Sequence, residues 1–383
     1  MKNKFAKSMN NGFKFMKSAI ISQNFAIDGR LFDIQGMTTG NVNDTYLAIY
    51  RTVFSETRTV IQRINTYVFK NPAELMENIR FVTAHVHQVY ENEQDDSDRI
   101  WQLPKVIPTR DGKDFFVDDE GNYWRAITQI ASAHAYDKIQ SAEHAHEVGA
   151  VLGKFHHAIS DMSCDGLHDT LPGFHITPGY FPKLDEALKT KEGKTRLDAT
   201  KVAHNVLIFL EKRREWCSVI EDAKARGELS MRPVHGDPKT ANVMIDDMTN
   251  KGTAIIDLDT VKPGLVHTDI ADCLRSCCNP AGEETHDISS VTFDTDLADA
   301  VLSGYREQAK GFLTEGEKEY LFDAVRLIAY EQALRFFADY IAGDVYYKVR
   351  EDGQNLMRAR VQVQLCRSIE ANEPKIRRML VTL

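Results

Sequence analysis

Residues 234–242 read Val-His-Gly-Asp-Pro-Lys-Thr-Ala-Asn, and residues 254–259 read Ala-Ile-Ile-Asp-Leu-Asp. Asp237 and Asn242 lie five residues apart on one predicted loop, and Asp257 ends an apolar, strand-like run fifteen residues further on. Phosphoryl transfer needs a carboxylate that accepts a hydroxyl proton, an amide oxygen that binds Mg²⁺, and a second carboxylate that binds the metal between phosphates. The two segments supply these groups in the order found in kinases. They therefore predict a phosphoryl-transfer site.

A hairpin is predicted between the two segments, because the turn-forming residues 248–252 separate two short apolar runs. Such a hairpin places Asn242 and Asp257 at the same open end, where both could bind one metal ion. Asp259 is a second candidate ligand, but Asp257 lies nearer to the end of the strand. We therefore predict Asn242 and Asp257 as metal ligands and assign Asp259 a structural role.

Each of these residues also has an ordinary structural explanation. An Asp-Pro pair such as Asp237-Pro238 commonly initiates a turn, and His235 is predicted to bond to backbone groups and shape the loop. The joint pattern His-x-Asp-x₄-Asn, with apolar residues on both sides, is less expected by chance. It favours Asp237 as the catalytic base.

Length and composition indicate a globular protein with two domains or lobes. The 383 residues exceed one ordinary hydrophobic core, and 43% hydrophobic with 27% charged residues allows a sizeable interior. The net charge of −9, without a long basic stripe, argues against a nucleic-acid partner. No apolar run reaches the length of about 18 residues that a membrane span requires, so we also predict no membrane partner.

The N-terminal residues and the cysteines both favour a cytoplasmic protein. Residues 1–28 are rich in lysine and lack the continuous apolar core of a secretory signal, so we predict a basic N-terminal extension. The six cysteines lack a metal-ligand pattern, and Cys273, Cys277 and Cys278 are spaced like neighbouring turns of a helix. We expect free thiols in a reducing compartment.

The structural signals change from strands to helices near residue 131. Residues 29–131 are predicted to form a small β-rich lobe that binds nucleotide, with one helix beginning at Asn71-Pro72. Residues 132–383 are predicted to form a larger, mainly helical lobe for catalysis and substrate binding. This organisation belongs to the α+β class. The predicted strands are 45–50, 59–64, 114–117 and 123–127, and the predicted helical stretches are 142–159, 198–226 and 315–340.

A polar segment of the first lobe could cover nucleotide phosphates with its backbone N–H groups. It contains Gly40, Asn41 and Asn43, although a plain turn explains the segment equally well. Gln62 or Arg63 could reach the phosphates from the next strand, where a kinase is expected to have Lys.

Two other residues of the first lobe complete this prediction. Gln129 is also assigned to the nucleotide site. Glu77 could pair with Arg63, but exposure of Glu77 at the surface is equally plausible.

The chain resembles the aminoglycoside phosphotransferase/choline kinase superfamily, and within it the N-acetylhexosamine 1-kinases. The matching stretches are 60–66, 235–242, 254–260 with 263–264, and 334–340 with 343–344. The resemblance implies a protein-kinase-like fold of two lobes, with Asp237 as catalytic base, Asn242 and Asp257 as Mg²⁺ ligands, and Arg335 as a substrate contact. It also implies that Gln62 is ordinary, since the sugar 1-kinases have Gln at this position.

The stretch around Arg335 points to the acceptor. Arg335 and Asp339 are four residues apart on a predicted helix, beside the aromatic residues Phe336, Phe337 and Tyr340. One interpretation is an intrahelical ion pair on a packed helix. The other is a sugar site, in which charged groups bond to ring hydroxyls and aromatic rings cover the apolar face. We assign Arg335, Asp339 and Tyr340 to substrate binding.

Supporting roles are predicted on the helix that follows the metal-binding strand. Asp269 is expected to hold the active-site loop from behind, as are Asp272 and Arg275.

These features predict an ATP- and Mg²⁺-dependent kinase that phosphorylates a sugar hydroxyl, with the anomeric position of an N-acetylhexosamine as the preferred acceptor. Its partners would be a nucleotide and a small sugar. Alternative acceptors are another sugar, a cyclitol, an aminoglycoside or a choline-like compound. A non-catalytic, nucleotide-binding regulatory module is the alternative of another class, and the absence of Lys at position 62 is its only support.

Overall fold

The computed structural model describes residues 17–37, 42–93 and 99–383. These residues form two compact units. The first contains the described residues up to 93 together with 102–131 and 165–171, and the second contains 99–101, 132–164 and 172–383. Two short segments therefore belong to a different unit from the one that the predicted division at residue 131 gives them.

The first unit is built on an antiparallel sheet of strands β1 (Arg30–Met37), β2 (Asp44–Arg51), β3 (Glu56–Arg63), β4 (Val106–Ile107), β5 (Phe116–Val117) and β6 (Tyr123–Thr128). The strand order is β1-β2-β3-β6-β4, and β5 pairs with β6 outside this path. The predicted strands 45–50 and 59–64 correspond to β2 and β3, which pair antiparallel with Tyr46 opposite Ile61. One long helix, α1 (Pro72–Asn92), begins where Asn71 accepts a hydrogen bond from the backbone N–H of Glu74.

The core of this unit includes part of the predicted N-terminal extension. Phe25 is fully buried, and Ile21 and Ile27 are almost so, among the inward side chains of β2, β3 and β6. The apolar residues that follow Lys17 explain the difference, because burying them removes apolar surface from water. Residues 17–28 are thus part of the folded unit, while residues 1–16 lie outside the described part of the chain.

The second unit contains three short strands in one sheet, a two-stranded pair and most of the helices. Strand β9 (Val243–Asp246) lies between β10 (Gly252–Ile255) and β7 (Ala133–Ala135), and β8 (Arg232–Val234) pairs with β11 (Lys262–Gly264). The helices are α2 (Ala142–Ala158), α3 (Phe181–Lys189), α4 (Lys191–Asp198), α5 (Lys201–Glu211), α6 (Val219–Ala225), α7 (Val266–Cys277), α8 (Thr295–Ala309), α9 (Glu315–Glu319), α10 (Leu321–Ala342), α11 (Gln354–Ala371) and α12 (Glu373–Leu380).

Helix α10 runs through the interior of the second unit and is buried on most sides. The predicted helical stretch 315–340 is divided at Tyr320, where α9 ends and α10 begins. Cys273, Cys277 and Cys278 are fully buried on and beside α7, as predicted for small apolar side chains. Across the described ranges, no helix combines the length and the apolar character needed to cross a bilayer.

Candidate active site

Asp237 lies on a loop that leads from β8 to a 3₁₀ turn, Thr240–Asn242, in the second unit. The residue before it, Gly236, has a φ of +85°. A Cβ atom at this position would lie 2.7 Å from the carbonyl oxygen of Thr260. Both the backbone conformation and the close approach require glycine. The path of the chain immediately before Asp237 is therefore fixed.

The His235 side chain links this loop to the end of β10. Its Nε2 lies 3.0 Å from the carbonyl oxygen of Ile256, and its Nδ1 accepts the backbone N–H of Asp237 at 3.2 Å. Because the carbonyl can only accept, Nε2 carries the proton and the ring is neutral. Burial lowers the pKa of His235, in agreement with this assignment. Both ring nitrogens are engaged with the backbone.

Asp269, on α7, holds the same loop through its two carboxylate oxygens. Oδ2 accepts the backbone N–H of His235 at 2.7 Å, and Oδ1 accepts that of Gly236 at 2.8 Å. The ring of His156 adds a third contact to Oδ2 at 3.0 Å. The carboxylate is completely buried, so these donors replace the water that it loses.

The predicted hairpin is confirmed and brings Asn242 and Asp257 to one end of β9 and β10. Ile255 pairs with Val243, and the backbone N–H of Ile256 donates to the carbonyl oxygen of Asn242 at 2.8 Å. Asp257 follows directly, with a left-handed φ of 65°, and is exposed. Asp259, two residues on, is only 3% exposed.

The donor set at this end of the hairpin fits a magnesium ion. The Asn242 Nδ2 donates to the backbone carbonyl of Asp237 at 2.7 Å and to its carboxylate at 3.2 Å, which leaves Oδ1 as the atom able to bind a cation. Mg²⁺ prefers oxygen ligands and commonly takes one or two from the protein, with phosphates and water supplying the rest. An amide oxygen and the exposed carboxylate of Asp257 meet that requirement.

Lys239 is a charged neighbour that the sequence reasoning missed. Its ammonium group forms an ion pair with the Asp237 carboxylate. Burial acts to lower the pKa of Lys239, but the negative charges of Asp237 and Asp257 outweigh burial and raise it. Lys239 is therefore a cation held beside two carboxylates, suited to binding phosphate. Its position two residues after the proposed base was the available signal.

Arg335, on α10, lies among aromatic rings. Its guanidinium carbon is 5.1 Å from the ring centre of Phe174, 5.4 Å from that of Tyr180 and 5.9 Å from that of Tyr347. The side chain is 12% exposed.

The acceptors near Arg335 are few and distant. Nη1 lies 3.4 Å from Gln332 Oε1 and 3.7 Å from Glu331 Oε1. Within the described part of the chain these are its only acceptor contacts, although a guanidinium has five N–H donors. Most of these donors can serve a ligand.

Asp339 and Tyr340 lie on the same helix but make different contacts. The Asp339 carboxylate accepts the backbone N–H groups of Val345, Tyr346 and Tyr347 at 2.8–3.0 Å. The Tyr340 hydroxyl donates to the carbonyl oxygen of Arg196 at 3.0 Å. Asp339 thus shapes the loop that carries Tyr347 to Arg335. The alternative of an ion pair between Arg335 and Asp339 is not found among the described residues, where Arg335 faces Glu331 instead.

His175 and Glu331 also went unnoticed in the sequence. The His175 ring lies 2.9 Å from the Glu331 carboxylate on one side and 2.9 Å from the carbonyl oxygen of Gly236 on the other. The two residues are 156 positions apart. Neither belongs to a recognisable motif, so no sequence signal joined them.

The first unit holds the residues predicted to bind nucleotide. Gln62 donates to Thr45 at 3.1 Å and accepts from Arg125 at 2.9 Å. Arg63 pairs with Asp44 at 2.5 Å, and the side-chain oxygen of Asn43 accepts the backbone N–H of Asn65 at 3.0 Å.

Of the remaining predicted residues, Gln129 directly follows β6. Gly40 and Asn41 lie outside the described residues. Glu77 is 62% exposed and contacts His168 at 2.8 Å, which agrees with the alternative of surface exposure.

Comparison with known proteins gives this geometry a context. Residues 43–319 match the profile of the phosphotransferase enzyme family. Choline kinase from Cryptosporidium parvum is similar with a TM-score of 0.58 at 11% identity, over 96% of this chain and 97% of that chain. An aminoglycoside phosphotransferase from Alicyclobacillus acidocaldarius is similar with a TM-score of 0.58 at 14% identity, over 95% and 96% of the two chains. A spectinomycin phosphotransferase, solved with ADP and spectinomycin, has a TM-score of 0.55 at 11% identity, over 93% and 98%.

At these identities the structural similarity concerns the fold. An antiparallel sheet near the N-terminus is followed by a largely helical region, as in these protein-kinase-like enzymes. The predicted fold class is confirmed.

Proposed function

The chain belongs to the phosphotransferase enzyme family, and on that basis we propose that it transfers the γ-phosphoryl group of ATP to a sugar hydroxyl. The observation that carries the proposal is the Asp237 loop. Its backbone is fixed by Gly236, His235 and Asp269, and its carboxylate lies beside Asn242 and Lys239. A base held in this way satisfies the positional requirement of phosphoryl transfer.

Asp237 is the proposed catalytic base. It accepts the proton of the acceptor hydroxyl while that oxygen forms its bond to the γ-phosphorus and ADP leaves. His235 is unsuited to this role, since both of its ring nitrogens are engaged with backbone groups. Lys239 is proposed to offset the negative charge of the transferred group.

Asn242 and Asp257 are the proposed residues that would hold Mg²⁺, through an amide oxygen and a carboxylate oxygen. The bound ion supplies positive charge between the phosphates. In the first unit, Gln62, Arg63, Asn43 and Gln129 remain the proposed nucleotide contacts.

A sugar is the proposed acceptor, and the anomeric hydroxyl of an N-acetylhexosamine is the preferred one. The surroundings of Arg335 support a sugar, because free guanidinium donors can bond to ring hydroxyls while the neighbouring aromatic rings cover an apolar face. A cationic acceptor such as an aminoglycoside or a choline-like compound is disfavoured by a buried guanidinium. Another neutral sugar or a cyclitol is the main alternative.

Replacement of Asp237 by Asn tests the catalytic proposal. The variant should lose at least about 100-fold in kcat, because general-base catalysis contributes about 10²–10⁴-fold. Binding of ADP, measured by calorimetry, should be retained. A variant with more than about a hundredth of the wild-type rate contradicts the assignment of the base.

A panel of free sugars, N-acetylhexosamines and cyclitols tests the acceptor. ATP consumption should depend on an N-acetylhexosamine, and the product should carry phosphate on the anomeric oxygen. Inactivity with every amino sugar would refute the acceptor assignment and leave the kinase proposal standing. Absence of ATP consumption with any hydroxyl acceptor, despite nucleotide binding, would favour the regulatory module.

A further inference from the structure

The His175 ring lies between two hydrogen-bond acceptors in the interior of the second unit. Nδ1 faces Glu331 Oε1 at 2.9 Å, and Nε2 faces the carbonyl oxygen of Gly236 at 2.9 Å. The other carboxylate oxygen of Glu331 accepts the hydroxyl of Thr177 at 2.8 Å. Both side chains are largely removed from water, since that of His175 is 10% exposed and that of Glu331 is 2% exposed.

This geometry determines the protonation of the ring. A backbone carbonyl has no proton to donate, so Nε2 must carry one. An ionised carboxylate likewise only accepts, so Nδ1 must carry one too. We propose that His175 is a buried imidazolium that positions the catalytic loop, joining the peptide before Asp237 to the helix that carries Arg335.

The contact acts on one peptide group. The carbonyl of Gly236 and the N–H of Asp237 belong to the same peptide plane. His175 donates to the carbonyl, and His235 Nδ1 accepts the N–H. The plane is therefore held at both edges by imidazole rings, and its orientation sets the direction in which the Asp237 side chain leaves the backbone. His175 is a positioning residue, because it acts on Asp237 through the backbone.

Glu331 extends the connection to the proposed acceptor site. The same oxygen, Oε1, that accepts from His175 lies 3.7 Å from the guanidinium of Arg335, one turn further along α10. A displacement of Arg335 on acceptor binding can thus reach Gly236 through two intermediate residues, Glu331 and His175. This inference rests on the proposed role of Asp237 as the base.

The charged and titratable groups around His175 come from several elements. Glu331 and Arg335 face it from α10, Tyr180 from the 3₁₀ turn that follows His175 in the chain, and Asp272 from α7. Burial acts to lower the pKa of His175, but Glu331 outweighs both burial and Arg335 and raises it. Because the pKa is raised, the imidazolium persists below it and is lost as pH rises through it. Deprotonation then removes one of the two contacts.

Nuclear magnetic resonance tests the protonation independently of activity. Long-range ¹H–¹⁵N correlation spectra of ¹⁵N-histidine-labelled protein, with the His175 signals assigned from the His175→Gln variant, should show both nitrogens protonated at neutral pH. A neutral ring, with the proton shared from a protonated Glu331 instead, would overturn the proposal. This result is the same whether or not the acceptor has been found.

Kinetics test the coupling to catalysis. His175→Gln should lower kcat about 10- to 100-fold, as expected when a reacting group is misplaced, while ADP binding is preserved. His204→Gln is the matched control, because that histidine also faces a carboxylate, Asp198 at 3.6 Å, but is 48% exposed. It should leave kcat unchanged.

The pH profile distinguishes positioning from a merely structural role. Wild-type kcat should fall at alkaline pH as His175 loses its proton. In Glu331→Gln the amide can donate to Nδ1, so a neutral ring still donates to Gly236 and this alkaline decline should disappear. The same decline in both proteins, or normal kcat in His175→Gln, would refute the proposal. A loss of kcat smaller than about 100-fold in Asp237→Asn would instead refute the proposed base.

Discussion

Gly236 and Gly227 share a left-handed backbone but differ in their surroundings. Their φ angles are +85° and +77°. A Cβ atom at Gly236 would meet the Thr260 carbonyl at 2.7 Å, whereas one at Gly227 would meet no atom within 4 Å. Gly227→Ala should therefore lower the free energy of unfolding only by the strain of the left-handed backbone, about 1–2 kcal/mol. Gly236→Ala should cost about 3 kcal/mol or more, because the backbone must also move.

Urea unfolding of the two variants measures this difference, and kcat measures its consequence. Gly236→Ala should also be nearly inactive, because the shift begins one residue before Asp237. Equal losses of stability in the two variants would show that the contact with Thr260 relaxes freely.

The residues of the site differ in how far the sequence could predict them. Asp237 and Asn242 share a short loop, and a hairpin brings Asp257 to them, so local spacing was sufficient. His175 meets Glu331 across 156 residues, a contact that only the packing of α10 creates. Long-range contacts of this kind leave no pattern in one sequence.

Among the helices, α2 and α8 pack closely because a glycine on each helix faces the backbone of the other helix. A Cβ atom at Gly149 would lie 1.9 Å from the carbonyl oxygen of Val301, and one at Gly304 would lie 1.9 Å from that of His146. Gly149→Ala should therefore destabilise the protein by about 3 kcal/mol or more, since the helices must separate. The free energy of unfolding in urea measures the effect.

Gly316 provides the matched control for Gly149. It lies on α9, and its nearest contact would be the carbonyl oxygen of Glu228 at 3.8 Å. Gly316→Ala should stabilise the protein by up to about 1 kcal/mol, through the lower entropy of the unfolded chain. Destabilisation by both variants to the same extent would contradict close packing of α2 on α8.

The loop after α10 depends on one carboxylate. Asp339 accepts three backbone N–H groups at residues 345–347, and Asn355 donates to it at 2.9 Å. Asp339→Asn replaces one accepting oxygen by a donor, which should cost about 1–3 kcal/mol. Because the loop carries Tyr347, KM for the acceptor should rise more than kcat falls.

Asp323→Asn on the same helix is the control, since Asp323 forms ion pairs with Arg326 at 3.1 Å and with the partly exposed Arg377 at 3.9 Å. It should change stability by less than about 1 kcal/mol and leave KM unchanged. If Asp339→Asn behaves in the same way, the loop is held by other contacts.

Secondary structure was predicted well where local signals were strong. The β9–β10 hairpin follows from a turn between two apolar runs, and α1 from Asn71-Pro72. The amphipathic stripe predicted α2, but not the glycine face by which it packs on α8. Glycine has no apolar side chain, so a pattern based on the spacing of apolar residues does not reveal a glycine face.

At the scale of the whole molecule, solved structures share this fold, but their names give different phosphoryl acceptors. Solved structures at 11–14% identity share the fold, yet their names include choline kinase and a spectinomycin phosphotransferase. Fold alone therefore does not determine the substrate. For this chain the proposed acceptor is therefore inferred from the residues around Arg335.

Ligand binding should raise the stability of the whole protein, and Mg²⁺ should account for part of the increase. A nucleotide at 100 times its Kd stabilises the folded state by about 2.7 kcal/mol. If Asn242 and Asp257 hold Mg²⁺, adding the ion to the ADP-saturated protein should raise Tm further, and chelation should reverse this step. Asp257→Asn should abolish the magnesium-dependent step while keeping the increase due to ADP alone. Asp247, 48% exposed at the opposite end of the hairpin, is the control. If the magnesium-dependent increase in Tm is lost in Asp247→Asn but persists in Asp257→Asn, the metal binds elsewhere.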